Sequence, residues 1–177
     1  MELLWYIIST VIFSSLKFIK ENIIMNVSVK ALEYFDSGYN CAESVLLAIS
    51  NGLNIPKGRC LPSIATGFGG GIARNGSLCG ALTGGIMAIG LALGRDDNQG
   101  SRDPCYPAVD RLFNGFVEKF GSSQCRDLIG VDLKTPEGQK AHANRDLKET
   151  CRSCVKWSAR ASMDLITEFS QGASANA

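Results

Sequence analysis

A chain of 177 residues whose 18 lysines and arginines face 17 acidic groups has no electrostatic reason to seek nucleic acid, and it carries no basic block interleaved with aromatic residues. Its length and its 45% of apolar residues fit one domain with a hydrophobic core of ordinary size. Seven cysteines are too few for a disulfide scaffold; an odd count in a chain that needs no staples points to reduced thiols with a chemical task, the alternative being small buried hydrophobes.

The N-terminal stretch MELLWYIISTVIFSSLKFIKENII differs in composition from everything after it. Residues 3–16 carry no charge and only Lys17 interrupts the run through Ile19, which falls short of the roughly 20 apolar residues of a membrane span. A cleaved signal fits poorly, because Glu2 stands where a positive region belongs and no small-x-small site follows. Residues 1–24 therefore read as an upstream extension of a chain starting at Met25, since Lys20-Glu21 can be encoded as a ribosome-binding sequence at normal spacing. On that reading the protein is cytoplasmic. The alternative is a hydrophobic N-terminal segment that anchors it to a membrane through residues 3–19.

From Met25 onward the patterns are helical. SVKALEYF spaces Val29, Leu32 and Phe35 for an amphipathic helix. In NCAESVLLAISNGL, Asn40 is placed to cap a helix with Glu43 three residues on, a capping-box arrangement, and Gly52 marks the end. LPSIATGFGGG predicts a short helix stopped by glycines, and SLCGALTGGIMAIGLALG a second helix running to Gly94. Asp103-Pro104 opens a helix with Val109, Leu112, Phe113, Phe116, Val117 and Phe120 on one face. Ser122 or Ser123 caps a short segment around Cys125, Thr135-Pro136-Glu137 starts another helix, and the last runs from about Leu147 to Phe169. The best strand candidate, DLIGVDL, is short and broken by Gly130. The expected architecture is all-α: a single-domain helical bundle over residues 25–170 with a disordered tail at 171–177.

GFGGGIARNG invites comparison with a phosphate loop, but the spacing fails. After Gly67 and Gly69 the sixth position is Ile72, and no strand precedes the glycines. The glycines read instead as turns and, at Gly80, Gly84, Gly85 and Gly90, as points of close helix contact. The competing assignment is cofactor or anion binding by Gly80, Gly84 and Arg74, with Arg74 also placed to stabilise a thiolate.

Several cysteines fall at predicted helix starts. Asn40 precedes Cys41, Ser77 and Ser123 stand two before Cys79 and Cys125, Thr150 precedes Cys151, and Cys105 follows Asp103-Pro104. At a helix start the dipole and free N–H groups stabilise a thiolate. Cys151 and Cys154 form one C-x-x-C pair, without the second pair of a structural zinc site or the βαβ context of a thioredoxin-like motif. His142 is the single histidine and reads as a surface residue. Val155 follows Cys154, so the C-x-x-C-H of covalent c-type haem is missing.

Taken in order, ALEYFDSGYNCAESVLLA, GFGGGIARNGSLCGALTGGIMAIGL, GSSQCRDLIGVDLKTPEG and CRSCV resemble the redox-active C_GCAxxG_C_C proteins over roughly residues 30–155. The resemblance implies four family cysteines, Cys41, Cys79, Cys125 and Cys151. Cys154 replaces an aromatic residue of many relatives and is the alternate to Cys151, while Cys60 and Cys105 are extras. It further implies a redox protein whose four cysteines converge, either as ligands of an iron–sulfur cluster or as a dithiol/disulfide centre. Cluster ligation is the preferred expectation, because four thiolates from separate helices match a Cys₄ requirement. The other functional class is a non-catalytic metal- or small-ligand-binding module beside a transport system. The partners expected are an electron-transfer partner and, as a homodimer, a second copy of the chain.

Overall fold

The structure, a computed structural model, describes residues 22, 24–56, 61–143 and 145–174. The segment 3–19 and Cys60 lie outside them. Among the described residues the chain is all helical: α1 (24–36), α2 (Cys41–Gly52), α3 (Ser63–Thr66), α4 (Gly80–Leu93), α5 (Cys105–Phe120), α6 (Cys125–Ile129), α7 (Pro136–His142) and α8 (Arg145–Ser174). A single antiparallel bridge, Leu78 to Gln124, is the only extended pairing among them. None of these helices is long and apolar enough to cross a membrane.

The expected starts and stops hold where a side chain does the capping. The Asn40 side chain accepts hydrogen bonds from the Ala42 and Glu43 N–H groups at 2.9 and 3.1 Å, and the Asn40 N–H donates to Glu43 Oε2 at 2.9 Å. Glu43 also accepts the Thr66 hydroxyl at 2.6 Å, which ties the start of α2 to the end of α3. Thr135 caps α7 by accepting the Gly138 N–H at 3.0 Å. Gly121 and Gly130 end α5 and α6 at φ 82° and 68°, the left-handed conformation a glycine adopts without steric cost.

α1 faces the core differently from expectation. Ile24, Val27, Ser28 and Ala31 are buried, at i, i+3, i+4 and i+7, whereas Val29 is exposed. The face is set by residues from 24 onward, and a pattern begun at Ser28 takes the wrong phase.

α2 and α4 form the centre of the bundle, each packed against the other and against α8, with α5 closing the outer side. Their contact is set by missing side chains. A Cβ on Gly84 would lie 2.5 Å from the Ala42 carbonyl oxygen, and one on Gly85 would meet Ser162 Oγ at 2.4 Å. α8 supplies Cys151, Cys154, Val155, Ser158, Ala159, Ser162, Met163 and Ile166 to the interior, a stripe whose steps alternate between three residues and one, with small residues where α4 comes closest. Leu46, Ile49, Leu82, Ile89, Leu112 and Phe116 fill the core, each almost fully removed from water. Phe116, Phe120 and Trp157 pack as a tilted and edge-to-face trio that locks α5 to α8. A satellite cluster of Cys125, Ile129, Leu133 and Cys151 lies beside this core, and Cys79 and Cys154 belong to the core itself. The seam between the two clusters is made of sulfur.

Candidate functional site

Five cysteines from four helices line one narrow cavity of about 10 Å³: Cys41, Cys79, Cys125, Cys151 and Cys154. Each arrives for a separate reason. Gly80 lets α4 approach the first turn of α2, where a Cβ on it would sit 3.2 Å from the Cys41 Cβ. The main chain ties Cys79 to Cys125, because the Cys79 N–H donates to the Ser123 carbonyl at 2.8 Å and the Cys125 N–H to the Ser77 carbonyl at 2.7 Å. Cys151 and Cys154, one turn apart on α8, complete the set.

The loop before Cys79 makes this approach feasible. Residues 70–74 form a consecutive left-handed stretch, with φ of 64°, 67°, 60°, 49° and 66°. Three of the five, Ile72, Ala73 and Arg74, carry side chains that disfavour this conformation by roughly 1–2 kcal/mol each. Main-chain bonds fold the stretch onto itself, with Ala73 N–H reaching the Gly67 carbonyl and Ser77 N–H the Gly71 carbonyl. A Cβ on Gly71 would lie 2.6 Å from the Cys125 Cβ and 2.5 Å from the Ser77 carbonyl oxygen, so only glycine fits against the cysteine.

The sulfurs are paired and polarised. The Cys41 thiol donates to the Cys151 sulfur, and the Cys154 thiol donates to Cys79. Cys151 is pulled down to about 5, first by the Cys41 hydrogen bond and then, against the cost of burial, by His142. His142 Nε2 lies 3.4 Å from the Cys151 sulfur, and that contact raises the imidazole above its ordinary value. Cys79 is lowered, first by Cys154 and then by the Leu82 and Ala81 N–H groups at the start of α4; these face the sulfur without forming a full capping hydrogen bond. The donor partners are shifted the opposite way: Cys41 and Cys154 are raised, each chiefly by the hydrogen bond through which it keeps its proton while donating to a neighbour. Burial pushes Cys125 up to about 12. All six cysteines among the described residues are free thiols.

Helix-start placement is therefore a poor guide to thiolate character. Cys41, Cys105 and Cys125 stand at helix starts and are all raised. Thr150 does not cap a helix before Cys151, because α8 begins at Arg145 and Cys151 lies in its second turn. Its acidity comes from two side-chain neighbours instead. Nor is His142 a surface bystander: it is half-buried on α7 and touches the most acidic thiol. The sequence signal for it was thin, a lone histidine nine residues before a cysteine in an otherwise polar segment. Cys154 joins the centre together with Cys151, so the two are not alternatives in position. Cys105 lies elsewhere, half-buried against the main core at the start of α5.

Of the two glycines expected as ligand contacts, one is taken up by helix packing and the other borders the cysteines. The open side of Gly84 is filled by the Ala42 backbone, and Gly80 lines the sulfur cavity from the α4 side. Arg74 is exposed and borders a separate hollow, shared with His142, outside the cysteine centre. The thiolate donors suit an iron–sulfur cluster chemically. As folded, however, the sulfurs are hydrogen-bonded in pairs around a space of about one water molecule. Among the described residues no group of three or more His, Cys, Asp or Glu side chains is set out to hold a metal ion.

These geometric features agree with what the chain is similar to. A protein of Archaeoglobus fulgidus named "Uncharacterized protein" is 33% identical over 120 residues, which is 63% of this chain and 80% of that one. No solved structure matches the chain. A family model described as "Putative redox-active protein (C_GCAxxG_C_C)" matches residues 39–165, a span that contains all five converging cysteines and His142. The chain belongs to the C_GCAxxG_C_C family.

Proposed function

We propose that the centre is a thiol/disulfide redox site with two couples, Cys41 with Cys151 and Cys79 with Cys154. What carries the reading is the polarised pairing: in each couple one sulfur is held towards thiolate and its neighbour holds the proton. A nucleophile and a resolving thiol have the same division of labour. The Cys151 thiolate attacks one sulfur of a disulfide substrate, forming a mixed disulfide and expelling the first thiolate. Cys41, once deprotonated, then attacks the Cys151 sulfur, closing the Cys41–Cys151 bond and expelling the second. The protein loses two electrons and two protons, and the substrate leaves as two thiols. Cys79 and Cys154, deeper in the core, form an inner couple able to accept the disulfide by exchange. Cys125 stays protonated as a wall of the site.

Iron–sulfur ligation by Cys41, Cys79, Cys125 and Cys151 is the second reading. It is favoured by one observation, that Cys125 brings a further thiol to the centre without a thiol partner of its own. Seating a cluster requires the paired sulfurs to separate. Anaerobic purification with iron, sulfide and zinc analysis, followed by thiol titration of reduced and oxidised samples, decides between them. The thiol reading predicts a metal-free protein that loses two or four thiols on oxidation. Stoichiometric iron and sulfide would overturn it in favour of the cluster.

A further inference from the structure

The sulfur centre is closed on the core side and open on the other. A cleft of about 370 Å³ has Cys41, Cys125 and Cys151 along one wall, and its size lies within the range of small-molecule sites. Phe35, Tyr39 and Leu133 give it an apolar lining. Its charged groups are unbalanced. Lys148 and Arg152 line it against one carboxylate, Asp36, which already pairs with Arg152. Arg152 is also held by Glu149 at 3.3 Å. Lys148 has no ion pair among the described residues and lies one turn before Cys151 on α8, so its charge is free to meet a ligand at the mouth of the thiol centre. Beyond His142 the cleft adjoins a second hollow of about 500 Å³ bordered by Arg74, another exposed cation.

Building on the thiol/disulfide reading, we propose that this cleft is the substrate site and that it selects small disulfides bearing carboxylates. The substrate enters with its sulfur–sulfur bond towards Cys151, its aliphatic or aromatic portion against Phe35, Tyr39 and Leu133, and its anionic end on Lys148. Exchange then runs as above, releasing two molecules of anionic thiol per Cys41–Cys151 disulfide formed. A cationic disulfide of the same size meets an unpaired like charge, and a neutral one gains nothing from Lys148.

Three linear disulfides of similar size separate the outcomes: 3,3′-dithiodipropionate (anionic), bis(2-hydroxyethyl) disulfide (neutral) and cystamine (cationic). Rates of oxidation of the reduced full chain are measured with each and normalised to the rate of the same disulfide with dithiothreitol, a neutral dithiol that reduces all three. The expected normalised rates fall in the order anionic, neutral, cationic, with about a ten-fold span between the ends. The ratio of anionic to cationic rates should collapse or invert in Lys148→Glu; taking the ratio cancels any common change in thiol reactivity. Equal or reversed normalised rates, with the protein disulfide still forming, would overturn the substrate assignment and leave the thiol reading intact. Failure of all three to form any protein disulfide would overturn both.

Discussion

At the scale of single residues, the division between Cys41 and Cys151 makes its own pH prediction. The thiolate is the reactive form, and Cys151 keeps it down to about pH 5. Alkylation of Cys151 by iodoacetamide, followed by peptide mass spectrometry, should therefore rise through about pH 5 and be nearly level from pH 6.5 to 8. His142→Gln removes one of the two contacts that stabilise the charge, so the midpoint should move upward and the rate at pH 6 should fall about tenfold. An unchanged profile would mean that His142 is only a neighbour. Cys41→Ser tests the other contact. The hydroxyl still donates to Cys151, so its acidity should persist, but no resolving sulfur remains. Treatment with a small disulfide should then leave Cys151 as a mixed disulfide whose mass is read directly, whereas Cys105→Ser should behave as the parent does. That Cys41, Cys79, Cys125 and Cys151 come together was legible in the sequence because the motif names them, with Cys154 only as an alternate; their protonation states were not. Helix-start position is a one-dimensional signal, and here it is outweighed by burial and by a partner 110 positions away: burial raises Cys125, while Cys41 is raised chiefly by its bond to Cys151.

Among the elements, glycine placement separates packing from mere flexibility. Gly84→Ala would drive a methyl group into the Ala42 carbonyl, forcing α2 and α4 apart at a cost of about 1–3 kcal/mol. Gly90, on the same helix, has open space where its side chain would be, so Gly90→Ala should stabilise the protein by roughly 0.5–1 kcal/mol. Urea unfolding of both variants checks the pair, and a similar loss in each would refute the close-contact account of α4. Gly71→Ala, at φ 67° and against Cys125, should be among the most disruptive substitutions and should lower the yield of folded protein. Capping at Asn40 and Thr135 was readable because it depends on residues three apart. The left-handed run through Ile72, Ala73 and Arg74 was not, because local preference opposes it. Main-chain bonds to the carbonyls of residues 67–71, the Asn75 side chain on the Ile72 carbonyl and the packing of Gly71 against Cys125 hold it in place. The misphased α1 face has a similar origin: its buried stripe begins at Ile24, ahead of the segment from which the pattern was taken.

At the scale of the whole molecule, the bundle brings thiols from α2, α4, α6 and α8 to the seam between two hydrophobic clusters. Four short motifs spaced over 114 residues, from Cys41 to Cys154, thus become one centre with a buried side and a cleft side. The all-helical class was legible from periodicity, and convergence was implied by the family motif. The pairing was not, since it depends on the register of α8 against α2 and α4. That register is set in part by a small residue, Ser162 facing Gly85, whose role no local pattern announces. The most direct test of the central claim is disulfide mapping of the full chain after mild oxidation, by non-reducing proteolysis and mass spectrometry with all free thiols blocked beforehand. The account predicts Cys41–Cys151 as the first bond, Cys79–Cys154 as the second, and Cys105 alkylated throughout. Bonds scattered among other pairs, or a bond formed first through Cys105, would contradict it.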